Sequence, residues 1–204
     1  MSKVVNKAEI QLLLKPSTDF IFSCVKQAFQ DYEANYAHVS HTHDNTTKKN
    51  ILFNSITFYI KQNIGNEKNI SFFEKSDRTF LLIVETRIFD IYLKFKSIKD
   101  SSLLPSNLLT KQIRKYHEQT MDFEKPSVCL IVGYTMDRLG MLSKVYITYS
   151  RTIKQIEWYF ELDAKTNIVS GIIQNDIMEI DELASKRRVK TKIQNINKDK
   201  KEKN

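Results

Sequence analysis

Residues 79–98, TFLLIVETRIFDIYLKFKSI, decide the fold class. The first part is a short apolar run. In the second, Phe89, Ile91, Leu93 and Phe95 point one way while Asp90, Tyr92, Lys94 and Lys96 point the other. A period of two is the mark of a strand with one apolar face. Residues 79–86 and 88–98 therefore read as adjacent strands of a hairpin that turns near Arg87. Downstream, residues 128–135, 144–150 and 153–162 have the same character. In the last of these, Ile156, Trp158, Phe160 and Leu162 alternate with Gln155, Glu157, Tyr159 and Glu161.

The chain ahead of the hairpin is helical in pattern. Residues 5–14 predict a short helix that Pro16 ends, because proline restricts the residue before it and brings no N–H of its own. Ser17 is a suitable N-cap for a second helix through about Glu33, with Ile21, Cys24, Val25, Ala28, Phe29 and Tyr32 at helical spacing. Residues 35–49, NYAHVSHTHDNTTKK, are rich in turn formers and read as a loop. A third helix is expected over 47–64, with Leu52, Ile56, Tyr59 and Ile60 inward and Gly65 as its stop. Ser106 is placed to cap a helix carrying Leu109, Gln112, Ile113 and Tyr116, and a short helix is expected around 177–185.

Strands with one apolar and one polar face need helices over the apolar one. The expected fold is thus α+β: an about five-stranded, mostly antiparallel sheet with the N-terminal helices packed on one face. It occupies residues 1–185 as a single domain, followed by a basic, disordered tail at 186–204. In that tail Lys186, Arg187, Arg188, Lys190, Lys192 and four later lysines face only Asp199 and Glu202, a net of +7. The whole chain carries +8, so residues 1–185 are within about one charge of neutral. Clustered cations without an apolar pattern cannot bury enough surface to offset the entropy of ordering. They can neutralise phosphates, with an affinity that depends on salt and ignores sequence. Val189, Ile193 and Ile196 recur every three or four residues, the spacing that folds as a helix on a protein partner.

Two cysteines, Cys24 and Cys129, each sit in an apolar run, in neither a CxxC nor a disulfide-like spacing, and are expected as buried free thiols. No stretch approaches the length of a membrane span, and the N-terminal apolar run is broken by Glu9 and Gln11; no membrane partner is expected and the expected location is cytoplasmic.

Four candidate sites follow. His41, His43 and Asp44, near His38, offer part of a ligand set for zinc or another divalent metal, with His117 as a remote partner; no other cofactor is implied. Glu85, Asp90, Lys94 and Lys96 are the nearest approach to a metal-dependent nuclease set, although no Asp…Glu-x-Lys order occurs. Arg114 and His117 lie three apart on one helix, a spacing that can meet RNA phosphates. Tyr92, Lys94 and Lys96, joined by Tyr146 and Tyr159, interleave rings with cations as single-strand-binding sheets do. Only four glycines occur, which leaves no room for a glycine-rich phosphate loop. The resulting expectation is a non-catalytic accessory protein that binds nucleic acid through the tail and one sheet face. The alternative is a protein-interaction module, such as one partner of a toxin–antitoxin or phage-defence pair. A metal-dependent nuclease-like enzyme ranks third.

Overall fold

The computed structural model describes residues 5–74, 79–105, 110–123, 125–163 and 169–171. The expected helix at 177–185, the domain boundary at 185 and the tail lie outside these residues. Helix α1 spans Lys7–Leu14, opened by the Asn6 side chain, which accepts from the Ala8 N–H. A 3₁₀ turn over Lys15–Ser17, containing Pro16, leads directly into α2, Thr18–Tyr36. Ser17 makes no side-chain cap there, contrary to expectation; it is buried, and the chain is already helical on either side of it. The apolar stripe Ile21, Cys24, Val25, Ala28, Phe29, Tyr32 is buried as its spacing requires.

The expected loop at 35–49 is mostly ordered turn and helix. Asn35 and Tyr36 finish α2, Ala37–Thr42 forms a 3₁₀ turn, and α3 runs over Asn45–Asn63. Local polar chemistry explains the difference. Ser40 and Thr42 hydroxyls donate to the Ala37 and Val39 carbonyls, and the Asp44 carboxylate accepts from the Thr47 N–H at 2.6 Å to start α3. Leu52, Ile56 and Ile60 are then buried on α3.

Among the described residues, seven strands form one sheet in chain order: β1 Ile70–Glu74, β2 Phe80–Glu85, β3 Asp90–Ser97, β4 Ser127–Met136, β5 Leu142–Thr152, β6 Gln155–Leu162 and β7 Val169–Gly171. Every neighbouring pair is antiparallel except β3 and β4, which run parallel. Two strands exceed the expected five, namely the short outer ones, β1 and β7. Between β3 and β4 the chain crosses over through α4, Lys111–His117, which Thr110 caps by accepting from the Ile113 N–H; the expected cap, Ser106, lies outside the described residues.

The alternation in β3 separates two cores. Ile91, Leu93 and Phe95 face α1, α2 and α3 in the main core, with Leu82, Leu130, Val132, Ile147 and Phe160 beside them. Tyr92 faces the opposite way, into a smaller core with Tyr116 of α4, Leu81, Cys129, Ile131 and Tyr146. Each aliphatic side chain removed from water in this way contributes roughly 1.5–3 kcal/mol. The N-terminal helices thus share one face, as expected, and α4 lies on the other. Trp158 of β6 reaches through the main core to donate from Nε1 to the Val5 carbonyl. Both cysteines are buried and free. Among the described residues, no helix is long and apolar enough to cross a membrane.

Candidate functional site

Strand β3 and helix α4 together form the most chemically distinctive cleft. Lys94 and Lys96, alternate residues on the α4 side of β3, line it with Pro105, Ile113, Tyr116 and His117. The Lys94 ammonium lies 5.5 Å from the Tyr116 ring centroid, within cation–π range. Burial pushes the Lys96 ammonium below its ordinary pKa. His117 is buried, with Nδ1 bonded to the Ser150 hydroxyl on β5. Desolvation, helped by the Lys94 charge, lowers its pKa to about 4, so the ring is neutral at pH 7. No carboxylate lines this cleft among the described residues.

The floor is held by two side chains that composition does not single out. The Tyr116 hydroxyl shares its one hydrogen between the Tyr92 and Leu130 carbonyls, each at 2.7 Å, on the two parallel strands. Gln119, just past α4 with φ of +57°, bonds the backbone of Cys129 on β4 and the Ser150 carbonyl on β5.

The aromatic–cation face expected from alternation is not an open platform. Phe123 stacks on Tyr92 with ring centroids 3.8 Å apart, and Tyr92 is buried. Tyr146 is buried too, edge-to-face with Tyr159. Glu161 pairs with Lys144 at 3.3 Å and Glu157 with Arg151 at 3.6 Å. Of that expected set, Lys94 and Lys96 keep partial exposure at a cleft. Arg114 and His117 do not act together, since Arg114 is exposed while His117 is buried.

The carboxylates of the hairpin are gathered elsewhere. Glu85 and Asp90 are direct cross-strand partners at the start of β3. Lys125 approaches Asp90 at 3.8 Å, and Ser71 donates to Glu85 at 3.0 Å. Lys94 is four residues further along, about 13 Å at strand rise. Acid pair and lysine pair thus occupy different ends of the strand.

The His segment is likewise divided among other tasks. Asp44 caps α3, and His43 Nδ1 bonds the Tyr32 hydroxyl at 2.8 Å while its ring packs on Tyr32 and Tyr36. His41 is exposed. His117 belongs to the opposite face of the sheet, so it cannot complete this group. Among the described residues, no three His, Cys, Asp or Glu side chains are grouped to hold a metal ion. Lys186, Arg187, Arg188, Lys190 and Lys192 fall outside the described residues.

No protein-family model, curated protein or solved structure matches this chain.

Proposed function

We propose that this chain is a non-catalytic accessory protein that associates with nucleic acid, using Lys94 and Lys96 at the β3–α4 cleft together with the basic segment 186–192. The observation that carries the reading is the concentration of the net charge in the last nineteen residues, with Lys94 and the desolvated Lys96 placed at one cleft that no carboxylate lines among the described residues. Phosphate backbones meet both features through charge alone, without base readout. The separation of Glu85 and Asp90 from Lys94 favours binding over hydrolysis, because metal-assisted cleavage needs carboxylates and lysine around one scissile phosphate.

Fluorescence anisotropy with generic duplex DNA, single-stranded DNA and RNA, titrated across salt, tests this. The intact protein is expected to bind all three at low salt, with log K falling linearly against log salt. Replacing Lys186, Arg187, Arg188, Lys190 and Lys192 with glutamine is expected to flatten that slope by roughly 0.7–0.9 for each phosphate no longer neutralised. Absence of polyanion binding at low salt, or an unchanged slope in the neutralised variant, would remove the tail from the reading.

The protein-interaction alternative draws on a different surface. Phe58 on α3 and Phe72 and Phe73 on the outer strand β1 are exposed large apolar side chains, and such edges favour pairing with another chain. A stoichiometric protein partner retained through purification, and lost on Phe72→Lys with Phe73→Lys, would favour it.

A further inference from the structure

We propose that the cleft between α2 and the paired ends of β5 and β6 is a binding site for a small amphipathic cation, an organic molecule with an apolar body and one ammonium group. The site is independent of the nucleic-acid reading. It lies on the helix-covered face of the sheet, opposite the face that carries Lys94 and Lys96, and its rim has the opposite charge.

Helical geometry opens the cleft. At about 100° per residue, Phe22, Lys26, Phe29 and Glu33 fall on one flank of α2. Asp31, which accepts from the Ser55 hydroxyl of α3 at 3.4 Å, falls on the opposite flank. α3 thus packs along one side of the helix, and the other side faces the strand ends, where Val145 of β5 pairs with Leu162 of β6. The room between them is about 360 Å³, within the ~300–1,000 Å³ usual for small-molecule sites. Its floor is apolar and well anchored. Phe29 and Leu162 are buried, the Phe29 ring stands edge-on to Tyr134 with centroids 5.6 Å apart, and Leu142 is half-buried. An apolar body laid on this floor leaves water on both sides of the contact.

The rim selects the charge. Lys144 pairs with Glu161 at 3.3 Å, so these two cancel. That leaves Lys26 against Glu33 and Asp163, and among the described residues none of the three has a hydrogen-bonded or ion-paired side-chain partner. Lys26 and Glu33 are two helical turns apart, about 10 Å along the axis, too far to neutralise each other. The rim therefore carries one net negative charge. An ammonium answers a carboxylate with charge-assisted hydrogen bonds, and the half-buried Phe22 ring at the same cleft attracts cations as well. A phosphorylated or polyanionic ligand would meet three carboxylates here, two of them unpaired, which opposes its entry.

Nuclear magnetic resonance on the full-length, isotope-labelled protein tests the site with three probes of matched size: phenethylamine, phenethyl alcohol and phenylpropionate. The amide signals of Phe29, Leu142 and Leu162 are expected to shift saturably with phenethylamine. The amine should bind about tenfold more tightly than phenylpropionate, with the neutral alcohol between them. Combining Glu33→Gln with Asp163→Asn is expected to erase that order while leaving the affinity for the alcohol unchanged, which a merely structural effect would not do. Both residues are exposed, and signals outside the cleft that overlay those of wild type establish that the variant is folded. No saturable shift at these amides, shifts confined to another surface, or equal affinities for all three probes overturns the proposal. An amine preference that survives the double substitution overturns it too.

Discussion

The Gln119 side chain stands in for a peptide group beside Cys129. Its Oε1 accepts from the Cys129 N–H at 2.7 Å, and its Nε2 donates to the Cys129 carbonyl at 2.8 Å and the Ser150 carbonyl at 3.2 Å. The β4–β5 ladder begins two residues later, at Ile131 with Thr148, so the amide serves backbone groups that the ladder does not reach. Replacing Gln119 with alanine leaves the Cys129 amide and carbonyl short of partners in a part-buried site. The expected cost is about 2–4 kcal/mol in urea unfolding, since each buried polar group left unsatisfied costs roughly 1–3 kcal/mol. An unchanged midpoint would mean that water replaces the amide freely.

Gly133 on β4 is set by its neighbour rather than by its backbone. A Cβ there would lie 2.5 Å from Ile98 Cδ1 and 2.9 Å from Ile98 Cγ2. Gly133→Ala is therefore expected to destabilise by about 1–3 kcal/mol through overpacking. Pairing it with Ile98→Ala should cost less than the two single changes added together, because the second change vacates the space the first one needs. Strict additivity in a double-mutant cycle would show that the clash is relieved elsewhere.

The alternation in β3 made the main core legible in the sequence, but not the smaller core on the strand's other face. Asp90, Tyr92, Lys94 and Lys96 read as an open polar face, whereas α4 and Phe123 lie over it. Periodicity reports that a strand has two faces and is silent about a short helix crossing back over one of them. The parallel pairing of β3 and β4 had a signal in the 29 residues separating the two strands, since parallel neighbours need a long crossover and hairpins do not. Strand β1, ISFFE, carries no clean alternation because its order comes from backbone pairing with β2, while Phe72 and Phe73 stay exposed. The cleft lysines were visible as candidates. His117 and Gln119 gained their places beside it only through contacts to Ser150, 33 and 31 residues away in sequence.

Asp44 serves the helix rather than a metal, and the two roles give opposite results. Asp44→Ala is expected to lower the unfolding temperature by about 2–4 °C through loss of the α3 cap, in zinc-free and zinc-containing buffer alike. Stoichiometric zinc is expected to leave the unfolding temperature of wild type unchanged, because His43 is turned to Tyr32 and His41 stands apart in solvent. A zinc-dependent rise that Asp44→Ala or His43→Ala removes would assign the segment to metal instead.

His117 should make stability depend on pH in a narrow window. Its folded pKa of about 4 lies below the ordinary value of 6.5, because burial and then the Lys94 charge disfavour the imidazolium. Lys94 and Lys96 of β3 line the cleft with it, and Ser150 of β5 holds Nδ1. Between those two values the unfolded chain binds a proton that the fold does not. Stability from this group is complete above pH 6.5 and is lost as pH falls toward 4, with a slope approaching about 1.4 kcal/mol per pH unit. Urea unfolding of wild type and His117→Gln between about pH 7.5 and 4 isolates the effect, because the carboxylates titrate in both. The difference between the two proteins is expected to shrink steadily as pH falls below 6.5. A difference that stays constant over the window would mean that His117 titrates alike in the folded and unfolded chains, and that α4 opens far enough to let the ring be charged.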